Sequence, residues 1–258
     1  MKALILAAGF GSRLMPLTED KPKCMVEYKG KKLIDYELNA LKEAEIYDIA
    51  VVGGYKFDVL KQYLSKNYPL IRLYENKNYA TTNMVQTFFC AREFLQNCID
   101  EKKDLIISYA DIIYSSKIVS RLKQTKNELD IVVDKAWLEL WKRRFEDVLA
   151  DAESLILQNG KIKELGKKPK SLNEIEGQYL GLFKVSYKFL EKIIQSYEGL
   201  DREAVYDGKD FDNMYMTSFL QILIDKFDNA FALEIEGGWC EFDFKKDLEL
   251  DIKGLDVR

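Results

Sequence analysis

The stretch Leu6-Ala7-Ala8-Gly9-Phe10-Gly11-Ser12-Arg13-Leu14-Met15-Pro16-Leu17-Thr18, continued by Lys21-Pro22-Lys23, decides how the rest of the 258 residues is read. The apolar run that leads into it from Ala3 is short and stops at Gly-Phe-Gly-Ser-Arg, so it is a first buried strand rather than the core of a signal peptide. A strand ending in Ala-Ala-Gly-x-Gly lets backbone N–H groups approach a nucleotide closely, where larger side chains would collide with base or phosphate. Arg13 and Lys23 then supply two cations for a polyphosphate. A lone Gly-x-Gly is an ordinary turn between strand and helix; Arg13, Pro16, Thr18, Pro22 and Lys23 standing together make it more than that. The loop is not a Walker A motif, which needs Gly-Lys-Ser/Thr. It is not the dinucleotide Gly-x-Gly-x-x-Gly either, because Leu14 stands where the third glycine belongs.

Outward from this loop the first half alternates β-rich runs with helical patterns. Strands are expected at 2–7, 48–52, 70–75 and 104–109, and helices at 33–44, 57–66, 82–95 and 115–125. That alternation predicts an α/β fold with a doubly wound, mostly parallel sheet and a ligand site beyond the carboxyl ends of the strands. After Asp130 the pattern mixes. A strand at 130–133, a helix at 138–145, a hairpin at 154–165 around Asn159-Gly160, a strand at 177–185, helices at 187–197 and 211–227, and strands at 230–236 and 240–244 complete the sheet. No linker, repeat or low-complexity tract divides the chain, so 1–258 is read as one domain.

Composition removes several classes of function. A net charge of −4 argues against a protein that covers nucleic acid, and no apolar run is long enough for a membrane span. Cys24, Cys90, Cys98 and Cys240 lack CxxC spacing, which points to reduced thiols in a cytoplasmic protein with neither zinc site nor disulfides. Histidine is absent, which rules out Ser-His-Asp and Cys-His nucleophiles and the commonest general base.

The loop from Leu6 to Lys23 resembles the signature of the sugar-phosphate nucleotidyltransferases, a pyrophosphorylase-type α/β fold. Within that family the chain is most similar to the small cytidylyltransferases that act on phosphocholine, aminoethylphosphonate or phosphoglutamine. The residues behind this are Lys135-Ala136-Trp137-Leu138-Glu139-Leu140-Trp141 with Arg144, Asp151-Ala152-Glu153, Glu164-Leu165-Gly166-Lys167-Lys168-Pro169, Glu176-Gly177-Gln178-Tyr179-Leu180-Gly181-Leu182-Phe183 and Gly238-Trp239-Cys240-Glu241-Phe242-Asp243. The resemblance implies a monomeric or homodimeric enzyme that uses CTP and a small phosphorylated acceptor, with a role in capsule or surface-polysaccharide decoration. It also implies a nucleotide-binding half over 1–125 and, over 126–258, a mixed-strand half that binds the acceptor and completes the metal site.

Asp111, just past the strand at 104–109, and Asp243, in the last strand, are the metal carboxylates that the resemblance implies, with Mg²⁺ or Mn²⁺ as the ion. Either aspartate could instead be a capping residue. Leu6, Ala8, Gly9, Gly11, Ser12, Arg13, Lys23, Gly54, Thr82, Asn83 and Asp111 are the expected nucleotide contacts, although Thr82 and Asn83 also suit plain helix capping and Asn76 is a weaker candidate. Lys135, Arg144, Lys167, Glu176, Gln178, Tyr179 and Trp239 are the expected acceptor contacts. Trp137 and Trp141, at helical spacing, suit packing better than an aromatic cage for a quaternary amine. Catalysis is expected of Lys23, at the α-phosphate and acceptor, and of Arg13, at the departing pyrophosphate. An acceptor phosphate is already an anion at neutral pH, so no general base is needed and the absence of histidine is no handicap. A sugar-1-phosphate uridylyl- or guanylyltransferase shares the loop, and a non-catalytic nucleotide-binding regulatory subunit is the alternative of another class.

Overall fold

In a computed structural model of the chain, residues 1–252, 254 and 255 are described. In chain order the elements are β1 (Lys2–Ala7), β2 (Glu27–Tyr28), β3 (Lys31–Lys32), α1 (Leu33–Glu43), β4 (Ile49–Gly53), α2 (Phe57–Asn67), β5 (Arg72–Glu75), α3 (Met84–Phe89), α4 (Arg92–Asp100), β6 (Leu105–Tyr109), β7 (Ile112–Tyr114) and α5 (Ser116–Gln124). They continue with β8 (Leu129–Asp134), α6 (Trp137–Arg144), β9 (Leu155–Gln158), β10 (Lys161–Leu165), β11 (Gln178–Val185), α7 (Tyr187–Glu198), α8 (Met216–Phe227), β12 (Ala230–Ile235) and β13 (Trp239–Glu241).

The main sheet has nine strands in the order β5-β4-β1-β6-β11-β8-β12-β10-β9. All run one way except β11, which is antiparallel to β6 and β8, and β10, antiparallel to β12 and β9. Both faces are covered, as the apolar strands require. Along β1, Leu4 and Leu6 pack under α3, α4, α7 and α8, while Ala3, Ile5 and Ala7 pack under α1, α2, α5 and α6. The chain lays β4 on one side of β1 and β6 on the other, so the strand order reverses there and a crevice opens beyond the ends of β1 and β6. The four cysteines are unpaired.

Three expectations change. The helix expected over 82–95 is two, because the backbone leaves helical geometry at buried Ala91 (φ −90, ψ 28) with no glycine or proline to announce it. The helix expected from 211 starts at Met216, since the Asp210 carboxylate accepts the Asn213 N–H at 2.8 Å and holds those residues in a turn. The last strand, expected to complete the main sheet, instead pairs with β7 in a separate two-stranded sheet. That pairing was invisible locally because β7 is only three residues long.

Candidate active site

The loop after β1 is shaped by glycine. Gly11 has φ +62, and a β-carbon there would lie 2.8 Å from Lys23 Cβ, so a left-handed, side-chain-free residue lets the two ends of the loop touch. Thr18 Oγ1 donates to the Gly11 carbonyl at 3.0 Å and closes the loop, and the Tyr55 hydroxyl donates to the Thr18 carbonyl. Short 3₁₀ turns at Ser12–Leu14 and Lys23–Met25 then present Arg13 and Lys23 to the crevice.

The small β7–β13 sheet places the carboxylates. Its register pairs Glu241 with Ile112, and one step on the Phe242 N–H donates to the Asp111 carbonyl at 2.9 Å. Asp111 and Asp243 are thereby brought to the same edge. Lys23 Nζ donates to Asp111 Oδ2 at 2.7 Å and to Asp243 Oδ1 at 2.6 Å, and Arg13 Nη2 reaches the same Asp243 oxygen at 2.8 Å. Burial works against the Lys23 charge, but Asp111 and then Asp243 more than offset it and raise its pKa. Burial would raise the Asp243 pKa, and the charge of Lys23, followed by Arg13 and Arg144, holds it below the usual carboxylate value. Both groups are charged at neutral pH.

Arg144 anchors this cluster from beneath. Its side chain is fully buried, with Glu241 at 2.8 Å, Asp247 at 3.3 Å and Asp243 at 3.4 Å. Asp247 in turn accepts the backbone N–H groups of Asp243 and Phe244. Asp111, Glu241 and Asp243 offer carboxylate oxygens within 4.8 Å of one another. Among the described residues Asp111 Oδ1 is buried without a hydrogen-bond partner. Clustered carboxylates with a spare buried oxygen fit a hard divalent cation such as Mg²⁺.

Two clefts meet at these charges. The first is lined by Leu6, Ala8, Gly9, Lys23, Thr82, Asn83 and Asp111, all expected, and also by Tyr79, Thr87 and Tyr109, which were not. Gly11 and Ser12 form the loop behind it. Gly54 also lies behind it, where a β-carbon would come within 2.8 Å of the Ala8 carbonyl oxygen. Asn83 caps α3 by accepting the Met84 N–H at 2.8 Å, so it both caps and faces the cleft, whereas Thr82 does not cap that helix and instead accepts from Asn76 and donates to the Asn78 carbonyl.

The second cleft includes Arg13, Gln178, Tyr179, Trp239 and Asp243, together with Trp141, Asp151, Glu153 and Glu241. Burial, then Asp151, pushes the Glu153 carboxyl up to about 7. Four expected contacts lie off this wall. Arg144 is consumed by its buried ion pairs, and Glu176 is exposed and accepts the Leu157 N–H at the β9 edge. Lys135 is exposed beyond β8, and Lys167 is paired with Glu164 at 2.8 Å beside a groove adjoining the cleft. The signal for Glu241 was its place two residues before Asp243 in a strand; Asp151 and Glu153 carried none beyond the family resemblance. Trp137 and Trp141 are both buried as packing residues, though Trp141 also edges the cleft.

A doubly wound sheet with a glycine loop, two cations and paired carboxylates at its switch point defines a nucleotidyltransferase. Residues 2–239 match the nucleotidyl transferase family, and the chain belongs to it. It is 61% identical to a CTP:phosphoglutamine cytidylyltransferase of Campylobacter jejuni, over 98% of this chain and 100% of that one. A choline-phosphate cytidylyltransferase of Streptococcus pneumoniae is 42% identical over 38% of this chain and 42% of its own. In fold the chain is similar to a solved inositol-1-phosphate CTP transferase from T. maritima, with TM-score 0.74, 18% identity and coverage of 97% and 91%. It is likewise similar to a CTP:phosphocholine cytidylyltransferase from Streptococcus pneumoniae, with TM-score 0.70, 23% identity and 96% of each chain. Among the described residues no helix is long and apolar enough to cross a membrane.

Proposed function

We propose that the chain transfers CMP from CTP to phosphoglutamine and releases pyrophosphate. The observation that carries this is the meeting of two clefts at Arg13, Lys23, Asp111 and Asp243 in a chain so similar to a phosphoglutamine enzyme. The first cleft takes the nucleotide, and the second takes the acceptor. A phosphate oxygen of the acceptor attacks the α-phosphorus of CTP, a new O–P bond forms, and the bond to the β-phosphate breaks with its electrons leaving on pyrophosphate. The nucleophile is an anion at neutral pH, so no proton need be removed. The site's work is positioning and charge neutralisation.

Lys23, half-buried between the clefts, holds the α-phosphate against the incoming oxygen. Arg13, half exposed at the mouth, holds the departing pyrophosphate. Asp111 and Asp243, with Glu241 beside them, would hold a divalent cation, which when bound neutralises phosphate charge. Leu6, Ala8 and Gly9 line the first cleft, where the small size of the last two leaves backbone free to read the base edge. Pyrophosphate release, measured with each of four nucleoside triphosphates against phosphoglutamine, phosphocholine, aminoethylphosphonate and hexose 1-phosphates, tests the reading. Turnover is expected with CTP and phosphoglutamine. Turnover confined to UTP or GTP with a hexose 1-phosphate would replace it with a sugar-1-phosphate transferase, and nucleotide binding with no turnover would replace it with a regulatory subunit.

A further inference from the structure

The geometry points to Asp134 as the positioning residue that sets the acceptor wall, through the indole of Trp239. Asp134 ends β8 and is 1% exposed, yet among the described residues it forms no ion pair. Its charge is met by three N–H donors instead. Oδ1 accepts from the backbone of Ala136 at 2.9 Å and of Gly237 at 3.0 Å, and Oδ2 accepts from Trp239 Nε1 at 2.8 Å. These donors belong to the start of α6, the turn after β12 and the first residue of β13. In register, Asp134 lies opposite Gln178 on β11 and Ile235 on β12, so it ties together α6, β11 and β13, which bring Trp141, Gln178, Tyr179 and Trp239 to this wall.

The indole N–H is the only polar atom of Trp239, and a charge-assisted bond to it fixes which edge of the ring faces the cleft. Trp239 is 2% exposed and stands 6.1 Å, centroid to centroid, from Trp141, so a ring turned over would have to repack against a second tryptophan. Only a carboxylate serves all three donors with two acceptor oxygens. An asparagine that keeps its oxygen toward Ala136 and Gly237 would point its own N–H₂ group at the Trp239 N–H, donor against donor. The inference rests on the assignment of the second cleft to the acceptor.

The test is Asp134→Asn, Trp239→Phe and the double variant, assayed with CTP and phosphoglutamine. Loss of one charge-assisted hydrogen bond is worth about tenfold or more. The KM for phosphoglutamine should therefore rise by at least about tenfold in Asp134→Asn while the KM for CTP stays within about twofold. The Asp134→Asn effect should largely vanish on the Trp239→Phe background, where the N–H is gone. Equal rises in both KM values, or effects of the two substitutions that simply multiply, overturn the inference. If Asp134→Asn does not fold, Trp239→Phe alone decides, because it keeps the carboxylate and an aromatic ring while removing the N–H; an unchanged acceptor KM overturns it. Wild-type turnover with a different phosphorylated acceptor would displace the phosphoglutamine reading and leave the same comparison to be run with that acceptor. A wild-type chain with no turnover at all would overturn both.

Discussion

At the residue scale the site is defined by charges that satisfy one another. Lys23 lies between Asp111 and Asp243 at 2.7 and 2.6 Å, and the proposed reaction places that same cation where charge builds up on the α-phosphate. Lys23→Ala is expected to lower kcat by roughly 10²–10³-fold. Circular dichroism should show a folded chain, and a near-normal rate would remove Lys23 from catalysis. Glu153 behaves oppositely. Its native pKa of about 7, against 4.5 for the free carboxyl, keeps it protonated in the folded chain where the unfolded chain has already ionised. Between those values each rise in pH therefore favours unfolding. Glu153→Gln should remove this slope and stabilise the protein by about 3 kcal/mol above pH 7, a Tm gain of roughly 6–12 °C, while leaving it unchanged near pH 4. A wild-type Tm that does not fall relative to the variant between pH 5 and 7 contradicts this. Lys23 was legible in the sequence because it belongs to a contiguous loop. Glu153 was not, because its proton affinity comes from burial and from Asp151, which only folding supplies.

At the scale of elements, the β7–β13 pair is the device that matters. The chain crosses 128 residues between Ile112 and its register partner Glu241 to put Asp111 and Asp243 side by side. Helix α6 locks that pair from below through Arg144, which sequence reading assigned to the acceptor because a basic residue in a family motif looks like a phosphate ligand. Burial inverts that role: a fully enclosed guanidinium facing Glu241, Asp243 and Asp247 holds carboxylates apart from one another and cannot reach a substrate. Arg144→Leu leaves those carboxylates uncompensated and should cost about 3–5 kcal/mol. Differential scanning calorimetry should record a Tm lowered by roughly 10 °C. A loss of under about 1 kcal/mol, the value of an exposed ion pair, would make Arg144 dispensable.

At the scale of the whole molecule, the proposed function puts the nucleotide in the first cleft and the acceptor in the second, and binding at the first should stabilise the fold as a unit. CTP with Mg²⁺ at about 100 times its Kd is expected to add about 2.7 kcal/mol, or roughly 5–10 °C in Tm. Chelation of the metal should remove most of that gain, because Asp111 and Asp243 already engage Lys23 and Arg13, and the triphosphate would then compete with them for those two cations. A shift unaffected by the chelator would take the metal out of nucleotide binding. The order of the main sheet's strands along the chain, the glycine loop with Arg13 and Lys23, and the exclusion of imidazole chemistry were determined by the sequence alone, because each depends on near neighbours: side-chain period, small residues at a turn, or composition. The β7–β13 pairing, the burial of Arg144, the two-helix form of 84–100, and the Asp134–Trp239 bond were decided only by tertiary structure. Each depends on groups far apart in the chain, whose desolvation and hydrogen bonding exist only once the sheet has brought them together.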